Sequence, residues 1–405
     1  MIQKIIQNIL KRRHFWRVAT FSEIAELYAS RMLRMLALNM TTAFTSIYLY
    51  QTGFDVFFIA ILWAIFFAYK FFIAIPMAAI IARIGPKHAI LVSNFLFIPA
   101  MIALAVVPYF GVMALAVMVV FQGASAMLYQ IAYAIDFSKV KSVDHAGKEI
   151  AYMNIVEKVT TGLSPLIGGI IAYLLGPQSI MVIGAILFAV SAMPLFKTGE
   201  VELPNQKLSF SGFPWKLVTR NIAAQMSIGV DVFTSGTVWT LFYAITILGV
   251  SSSNQIYIEN GILLSVVLLA ALSASYMYGR LIDRRRGGEL LRFAAIANAI
   301  THFMRPFIGS PVAVAGLNVA NEAATAGYSM TVTRGNFDNA DLSGHRTTYI
   351  ALVEAVSNLG ACFGALLLAL VVFMFSDARG MEYFFYIAAG IVLLIATARF
   401  PLYRK

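Results

Sequence analysis

The chain has 405 residues, of which 60% are hydrophobic and 12% are charged, and its formal net charge is +11. Soluble proteins carry about a quarter of their residues as charged side chains, so soluble enzymes, disordered tails and secreted disulfide scaffolds are excluded. One cysteine and five scattered histidines give neither a disulfide framework nor metal-ligand spacing, so no metal and no cofactor are predicted. In a membrane protein a basic charge indicates cytoplasmic loops rather than a nucleic-acid partner.

The first 26 residues are predicted to be an amphipathic segment on the inner membrane surface. Apolar residues recur at helical spacing from Ile2 to Leu10, and the basic run Lys11-Arg12-Arg13 follows them. The segment lacks the apolar core of a cleavable signal peptide. A loosely ordered basic tail is the alternative interpretation.

Twelve apolar segments follow, each close to the length of about 20 residues that crosses a bilayer as a helix. They lie near 27–51, 56–81, 88–108, 111–135, 149–175, 178–196, 222–248, 257–279, 290–308, 311–333, 347–375 and 381–400. A polar stretch at 198–220 is predicted to be a central cytoplasmic linker between six-helix bundles at 27–197 and 221–405. The fold class is therefore all-α integral membrane.

The distribution of basic residues predicts the orientation. With the N-terminus inside, 26 of the 30 lysines and arginines fall on the cytoplasmic side, and Arg305 is one of two in the outer loops. Such a bias places both termini in the cytoplasm of a multi-pass protein of the cell membrane.

An internal repeat relates the two halves. Shifted by 197 positions, residues 144–160 align with 341–357 without a gap and share six identical residues, among them Glu157 and Glu354. Both copies open a helix at the same rank in their half, spans 5 and 11. Six helices per half with matching sense indicate a pseudo-twofold axis along the membrane normal.

The loops between spans 2 and 3 and between spans 8 and 9 carry related motifs. The second reads Gly279-x-x-x-Asp283-Arg284, and the first keeps Arg83 and Gly85 but has alanine where the glycine and aspartate belong. On these motifs the whole chain resembles the major facilitator superfamily of secondary transporters. The resemblance implies that these five residues form a conformational latch, which the alanine at position 82 weakens in the N-terminal half.

Span 5 adds a partial resemblance to the drug–proton antiporter branch of that family. Pro165, Gly168 and Gly169 match its Gly-Pro-x-x-Gly-Gly pattern except at the first glycine. A proline kink and small residues for tight helix packing are the ordinary alternative. Gln122 to Ala126 likewise match the end of a span 4 motif of proton-coupled members, with Val119 where that motif has arginine.

Charged residues inside spans are costly unless they face water or a partner, so each is a functional candidate. In the resembled fold, spans 1, 4, 7 and 10 line a central path, whereas spans 2 and 11, and spans 5 and 8, meet across the halves. Lys70 and Glu354 are therefore predicted to pair across that interface, with a static bridge as the alternative. The predicted solute and proton pathway comprises Glu322, Asn318, Asn321, Glu157, Asn154, Glu354, Lys70, Asn39, Gln122, Trp239 and Tyr243. Asp231 and His302 are expected to be structural.

The sequence thus predicts a monomeric secondary transporter, not an enzyme, that moves a small organic solute by alternating access, coupled to protons. Export of an amphipathic compound is preferred because the predicted wall is apolar and aromatic, and nutrient uptake remains open. A flippase for lipids or lipid-linked sugars and a non-transporting sensor or scaffold are the alternatives. A channel is disfavoured because two halves suit rocking around a central site.

Overall fold

The computed structural model describes residues 21–140, 146–196, 208–250, 254–284 and 286–403. Its long helices, labelled here in chain order, are α1 (Phe21–Gln51), α2 (Val56–Ile84), α3 (Pro86–Ala105), α4 (Val112–Val140), α5 (Ala146–Leu175), α6 (Pro177–Ala192), α7 (Ile222–Leu248), α8 in two parts (Gln255–Ser265 and Leu268–Asp283), α9 (Gly287–Met304), α10 (Pro311–Ser343), α11 (Arg346–Met374) and α12 (Asp377–Val392). No strand occurs in these ranges, which confirms the predicted all-α fold.

Local chemistry sets several helix ends. Asp55 caps α2 by accepting a 2.7 Å hydrogen bond from the Phe58 amide, and Ser310 caps α10 in the same way. Gly85 joins α2 to α3 with φ at +86°, a left-handed value that glycine adopts without strain, and a proline follows it. These turns are short, so consecutive helices run antiparallel.

Helices α2 to α7, α11 and α12 contain segments long and apolar enough to cross a membrane. Helices α1 and α10 carry buried polar and charged groups in their middle turns, which lowers their hydropathy. The predicted bounds were too narrow for α1 and α10, because both helices continue as polar turns beyond the apolar core. At the end of α10 an Arg334–Asp338 pair at 3.4 Å spans one such turn.

Two predicted features lie partly outside the described residues. The amphipathic segment 1–26 is described only from Phe21 onward, and the linker only from position 208 onward. The described part of the linker packs on the C-terminal half, where the Thr348 hydroxyl donates to the Ser209 carbonyl at 3.0 Å and Phe213 is buried.

The two halves meet along two pairs of helices. Helix α2 packs along α11, and α5 packs along both parts of α8. This is the pairing that the family resemblance implies. Within the C-terminal half, α7 lies against α11, and within the N-terminal half, α3 lies against α4 and α6. We call the end of the molecule near Arg31, Tyr133 and Tyr349 the inner end, and the end near Gln51 and Tyr257 the outer end.

Glycines permit the closest of these helix contacts. A Cβ at Gly360 of α11 would lie 2.0 Å from the Met226 carbonyl oxygen of α7, and one at Gly229 would lie 1.8 Å from that of Ser357. No side chain fits such spaces, so the backbones of α7 and α11 touch directly. Close backbone approach through small residues is how helices gain packing energy inside a bilayer.

We therefore expect Gly360→Ala to destabilise the protein by about 1–3 kcal/mol, because the added methyl overpacks α7 against α11. Gly390→Ala in α12 is the matched control, since nothing lies within 4 Å of a Cβ there. Thermal unfolding of the detergent-purified variants measures the difference. Equal melting temperatures for the two variants would contradict this account of the contact.

Candidate central cavity and buried polar networks

A cavity of about 350 Å³ opens between the two halves at the inner end. Its wall combines parts of α1, α3, α4 and α5 from the N-terminal half with parts of α10 and α11 from the C-terminal half. The lining side chains include Arg31, Arg34, Phe97, Tyr129, Gln130, Tyr133, Glu157, Asn336, Phe337, Tyr349 and Glu354. The cavity is therefore aromatic, but it is also more charged than the sequence predicted.

Two arginines of α1 shape the N-terminal side of this cavity. Arg31 forms a 2.5 Å salt bridge with Glu157 of α5, and its guanidinium lies 3.7 Å from the ring centroid of Tyr133. Arg34 is 1% exposed and donates to Asn94 at 2.6 Å and to Ser125 at 3.2 Å. Neither arginine was among the predicted pathway residues, whereas the structure places both at the cavity wall inside the bundle. Their spacing of three residues was the available signal, because it puts them on one helix face.

Glu354 lines the cavity from the opposite side, on α11. The sequence predicted that it pairs with Lys70 of α2. The two are close enough to interact electrostatically, but they are not among the salt bridges of the described residues. The Lys70 ammonium instead lies 5.5 Å from the ring centroid of Phe66 and 5.6 Å from that of Phe67. Cation–π contact thus supplies part of the stabilisation that a direct carboxylate bond would otherwise give.

A direct ion pair does cross the halves, but between other residues. Lys158 of α5 and Glu322 of α10 lie 2.6 Å apart, with both side chains partly exposed. Glu322 was predicted to contact solute or protons, and Lys158 was not among the predicted pathway residues. In the structure each neutralises the other.

Four other predicted pathway residues, Glu322, Asn318, Asn321 and Trp239, are not among the residues that line the cavity. Trp239 donates to Asn318 at 2.7 Å, and Asn318 in turn donates to the Leu263 carbonyl of α8 at 3.2 Å. Tyr243 donates to Asn260, whose amide donates to the Ala43 carbonyl of α1 at 3.2 Å. These bonds tie α7, α8 and α10 together and reach across to the N-terminal half.

Two further predicted pathway residues belong to the N-terminal half. Asn39 is half-buried and donates to the Met35 carbonyl of its own helix at 2.8 Å, while Gln122 is buried in α4. The side chain of Asn154 lies outside the described residues. Neither Asn39 nor Gln122 lines the cavity.

The residues predicted to pack span 5 lie at helix crossings. A Cβ at Gly168 would lie 2.8 Å from the Met40 carbonyl oxygen of α1, and one at Gly169 would lie 2.5 Å from the Tyr257 carbonyl oxygen of α8. A Cβ at Gly261 of α8 would lie 2.5 Å from the Pro165 carbonyl oxygen. Backbone therefore meets backbone at the outer end, where Tyr257 also donates to Gln51 at 2.5 Å.

The residues of the predicted latch lie at the inner end. Asp283 is the last residue of α8 and interacts electrostatically with Tyr403 of the C-terminal turn. Gly279 lies one turn earlier in α8, Gly85 forms the α2–α3 turn, and Arg83 and Arg284 are exposed. These positions do not test whether the five residues hold one conformation, so the latch stays a prediction.

A second polar network is buried within the C-terminal half, and the sequence placed one of its members wrongly. Arg305, predicted in an outer loop, is 0% exposed and donates to His302 at 2.7 Å, to Ser235 at 2.9 Å and to Asn321 at 3.1 Å. The hydropathy pattern could not show this, because the helical turn after α9 folds back into the bundle.

The partners of His302 fix its protonation state. Its Nδ1 faces the Arg305 guanidinium, which can only donate, so Nδ1 accepts. Its Nε2 lies 2.6 Å from an Asp231 carboxylate oxygen and therefore carries the proton. The imidazole is neutral, and the opposite charges of Asp231 and Arg305 balance across it. Tyr328 also donates to Asp231.

We expect Asp231→Asn to lower stability by about 3 kcal/mol, because it leaves the buried Arg305 charge unbalanced. Adding Arg305→Met should restore part of the loss, since the double variant removes both charges. Glu382→Gln, on the more exposed surface of α12, is the control and should change little. Melting temperatures of the four proteins test this, and strictly additive losses in the double variant would contradict the charge balance.

Comparison with known proteins identifies the fold. The sequence pattern of the Major Facilitator Superfamily matches residues 27–337. No curated protein sequence matches the chain. Among solved structures, the human organic anion transporter MFSD10 (TETRAN) has a TM-score of 0.68 at 13% identity, with 93% of this chain and 98% of that chain covered.

Two further transporters show the same likeness. The fucose:proton symporter FucP of E. coli has a TM-score of 0.64 at 14% identity and covers 93% of this chain and 98% of its own. The nucleoside transporter NupG has a TM-score of 0.66 at 12% identity, with 92% and 96% covered. At these identities the likeness shows a shared fold.

Proposed function

The chain belongs to the Major Facilitator Superfamily, and on that premise we propose that it is a secondary active transporter of a small organic solute. It crosses the cell membrane twelve times with both termini in the cytoplasm, and it works as a monomer by alternating access. The solved transporters that share its fold carry an organic anion, fucose or a nucleoside, which supports a small organic solute as cargo.

The observation that carries the proposal is the position of the repeated glutamates. Glu157 and Glu354 occupy equivalent positions of the internal repeat, and they line the same cavity from opposite halves. Each is near a cation, since Glu157 bonds Arg31 and Glu354 interacts with Lys70. Two acids related by pseudo-symmetry at one site suit a transporter whose halves rock around that site.

The same geometry supports coupling to protons. Lys70 belongs to α2 and Glu354 to α11, so rocking of the halves changes the distance between them. In the state that brings them together, Lys70 balances the charge of Glu354. In the state that separates them, a proton binds to Glu354 and neutralises its charge, because an unbalanced carboxylate at membrane depth is costly. Proton binding is thereby linked to the conformation of the halves.

The structure represents the state open at the inner end. At the outer end, the backbones of α5 and α8 touch and Tyr257 bonds Gln51, whereas the cavity lies at the inner end. Transport requires the contacts at the outer end to separate and the distance between Lys158 and Glu322 to change. Export remains the proposed direction, and the aromatic wall of the cavity supports an amphipathic solute with at least one charged or polar group.

Transport by proteoliposomes tests the proposal. We expect a pH gradient to drive solute flux. Glu354→Gln should lower this gradient-driven flux by at least about tenfold, because loss of a positioned proton carrier typically has a larger effect than that. Solute exchange at equal pH should persist in this variant, because the cavity remains. Glu382→Gln controls for loss of a carboxylate elsewhere. Wild-type gradient-driven flux in Glu354→Gln would remove Glu354 from the coupling mechanism.

A further inference from the structure

The charged groups on the N-terminal side of the cavity do not balance. Arg31 is neutralised by Glu157, but no carboxylate forms a salt bridge with Arg34 among the residues that the structure describes. The partners of Arg34 are the amide of Asn94 and the hydroxyls of Ser93 and Ser125, all neutral. The nearby charge acting on Arg34 is that of Arg31, which has the same sign.

A buried guanidinium without a counter-ion is unfavourable, because its lost hydration is only partly replaced by neutral hydrogen bonds. Aromatic rings replace a further part of the lost hydration. Arg34 lies 3.9 Å from the ring centroid of Tyr129 and Arg31 lies 3.7 Å from that of Tyr133, and the two rings are stacked 5.7 Å apart. The rings hold both cations side by side at the cavity wall, where they face the same space.

Some hydrogen-bond donors in this part of the cavity wall also lack an acceptor. The Nε atoms of Arg31 and Arg34 and the Nδ2 atom of Asn94 are buried and have no partner. All three are donors, so the groups that would satisfy them are acceptors. An anion supplies several acceptor oxygens together with the missing negative charge, and guanidinium groups bind carboxylates and phosphates through paired hydrogen bonds.

We propose that the solute of this transporter is a small organic anion, with a carboxylate or phosphate group held at Arg31 and Arg34. This inference rests on the proposed transport function and specifies its substrate class. The aromatic side chains Phe97, Tyr129 and Phe337 receive the apolar part of the solute. A cavity of about 350 Å³ admits molecules of the size of a substituted benzoate or a short dicarboxylate.

A first experiment measures the electrical potential of the cavity without knowledge of the solute. In a Cys362→Ser background, Gln130→Cys places a thiol on the cavity wall, and Ser211→Cys places one on the exposed linker. Each is labelled with anionic and cationic methanethiosulfonate reagents of similar size. We expect the anionic reagent to be favoured at position 130 by at least about fivefold over the ratio at position 211.

Substitution of the arginine identifies the source of that preference. Arg34→Gln should remove most of it, and Arg34→Lys should retain it, because lysine keeps the charge. Size-exclusion chromatography verifies that each variant is folded, and the lysine variant keeps the test decisive if glutamine is not tolerated. Equal reagent preference at positions 130 and 211 in the unsubstituted background would overturn the proposal.

A second experiment tests binding by protection of the thiol at position 130. The probes are benzoate against benzamide, succinate against succinamide, and glycerol 3-phosphate against glycerol, at constant ionic strength. At least one anion should slow labelling at least about fivefold more than its neutral counterpart, and Arg34→Gln should abolish this protection. Protection that is equal for anions and neutral counterparts, or absent for every anion, would overturn the proposal.

Transport of the same probes separates this inference from the function on which it rests. If a neutral probe is transported while no anion protects the thiol, the substrate class is wrong and the transport function stands. If an anion protects the thiol but no probe of any charge is transported by proteoliposomes, the anion site stands and the transport function is contradicted.

Discussion

The contact between α5 and α8 at the outer end is the constraint on which the described conformation depends. Gly169 and Gly261 bring the two backbones together, one from each half, and no side chain separates them. Because the halves touch there, the space between them lies at the inner end. The position of the cavity and the identity of its lining residues follow from that asymmetry.

Several buried charges of the described residues follow a second rule, which is that a nearby opposite charge balances each of them. Asp231 and Arg305 are balanced through a neutral His302 within one half. Lys158 and Glu322 are balanced across the halves, and Arg31 and Glu157 within the other half. Under the proposed alternating access, the pairs inside a half would hold it as a rigid unit, and the pair between the halves would change as the halves move. Arg34 departs from this rule, and it does so at the cavity.

Much of the architecture could be predicted from the sequence, because long apolar segments separated by short turns indicate membrane helices. The internal repeat also identified Glu157 and Glu354 as equivalent positions, and both line the cavity. The pairing of helices between the halves came from the family resemblance. The interruption of α8 at positions 266–267 and the fold-back at Arg305 had no such signal, because both depend on tertiary packing.

The sequence could not show which of the predicted pathway residues line the cavity, for a physical reason. Depth along a span can be counted, but the direction of a side chain depends on how each helix rotates against its neighbours. Arg31 and Arg34 are close to the start of α1 and were not among the predicted pathway residues. Their burial arises from the rings of Tyr129 and Tyr133 in α4, a contact between residues about 100 positions apart. Glu322 was predicted to contact solute or protons, yet it pairs with Lys158 and is not among the residues that line the cavity.

Distances between spin labels on the two halves test alternating access most directly. In a Cys362→Ser background, one label pair at Thr52 and Gln255 reports on the outer end, and another at Gln130 and Leu342 reports on the inner end. All four positions are exposed. Changes of pH and addition of transported solute should produce a second population in which the outer distance is longer and the inner distance is shorter. A single unchanged population for both pairs, or changes in the same direction, would contradict rocking of two rigid halves around the cavity.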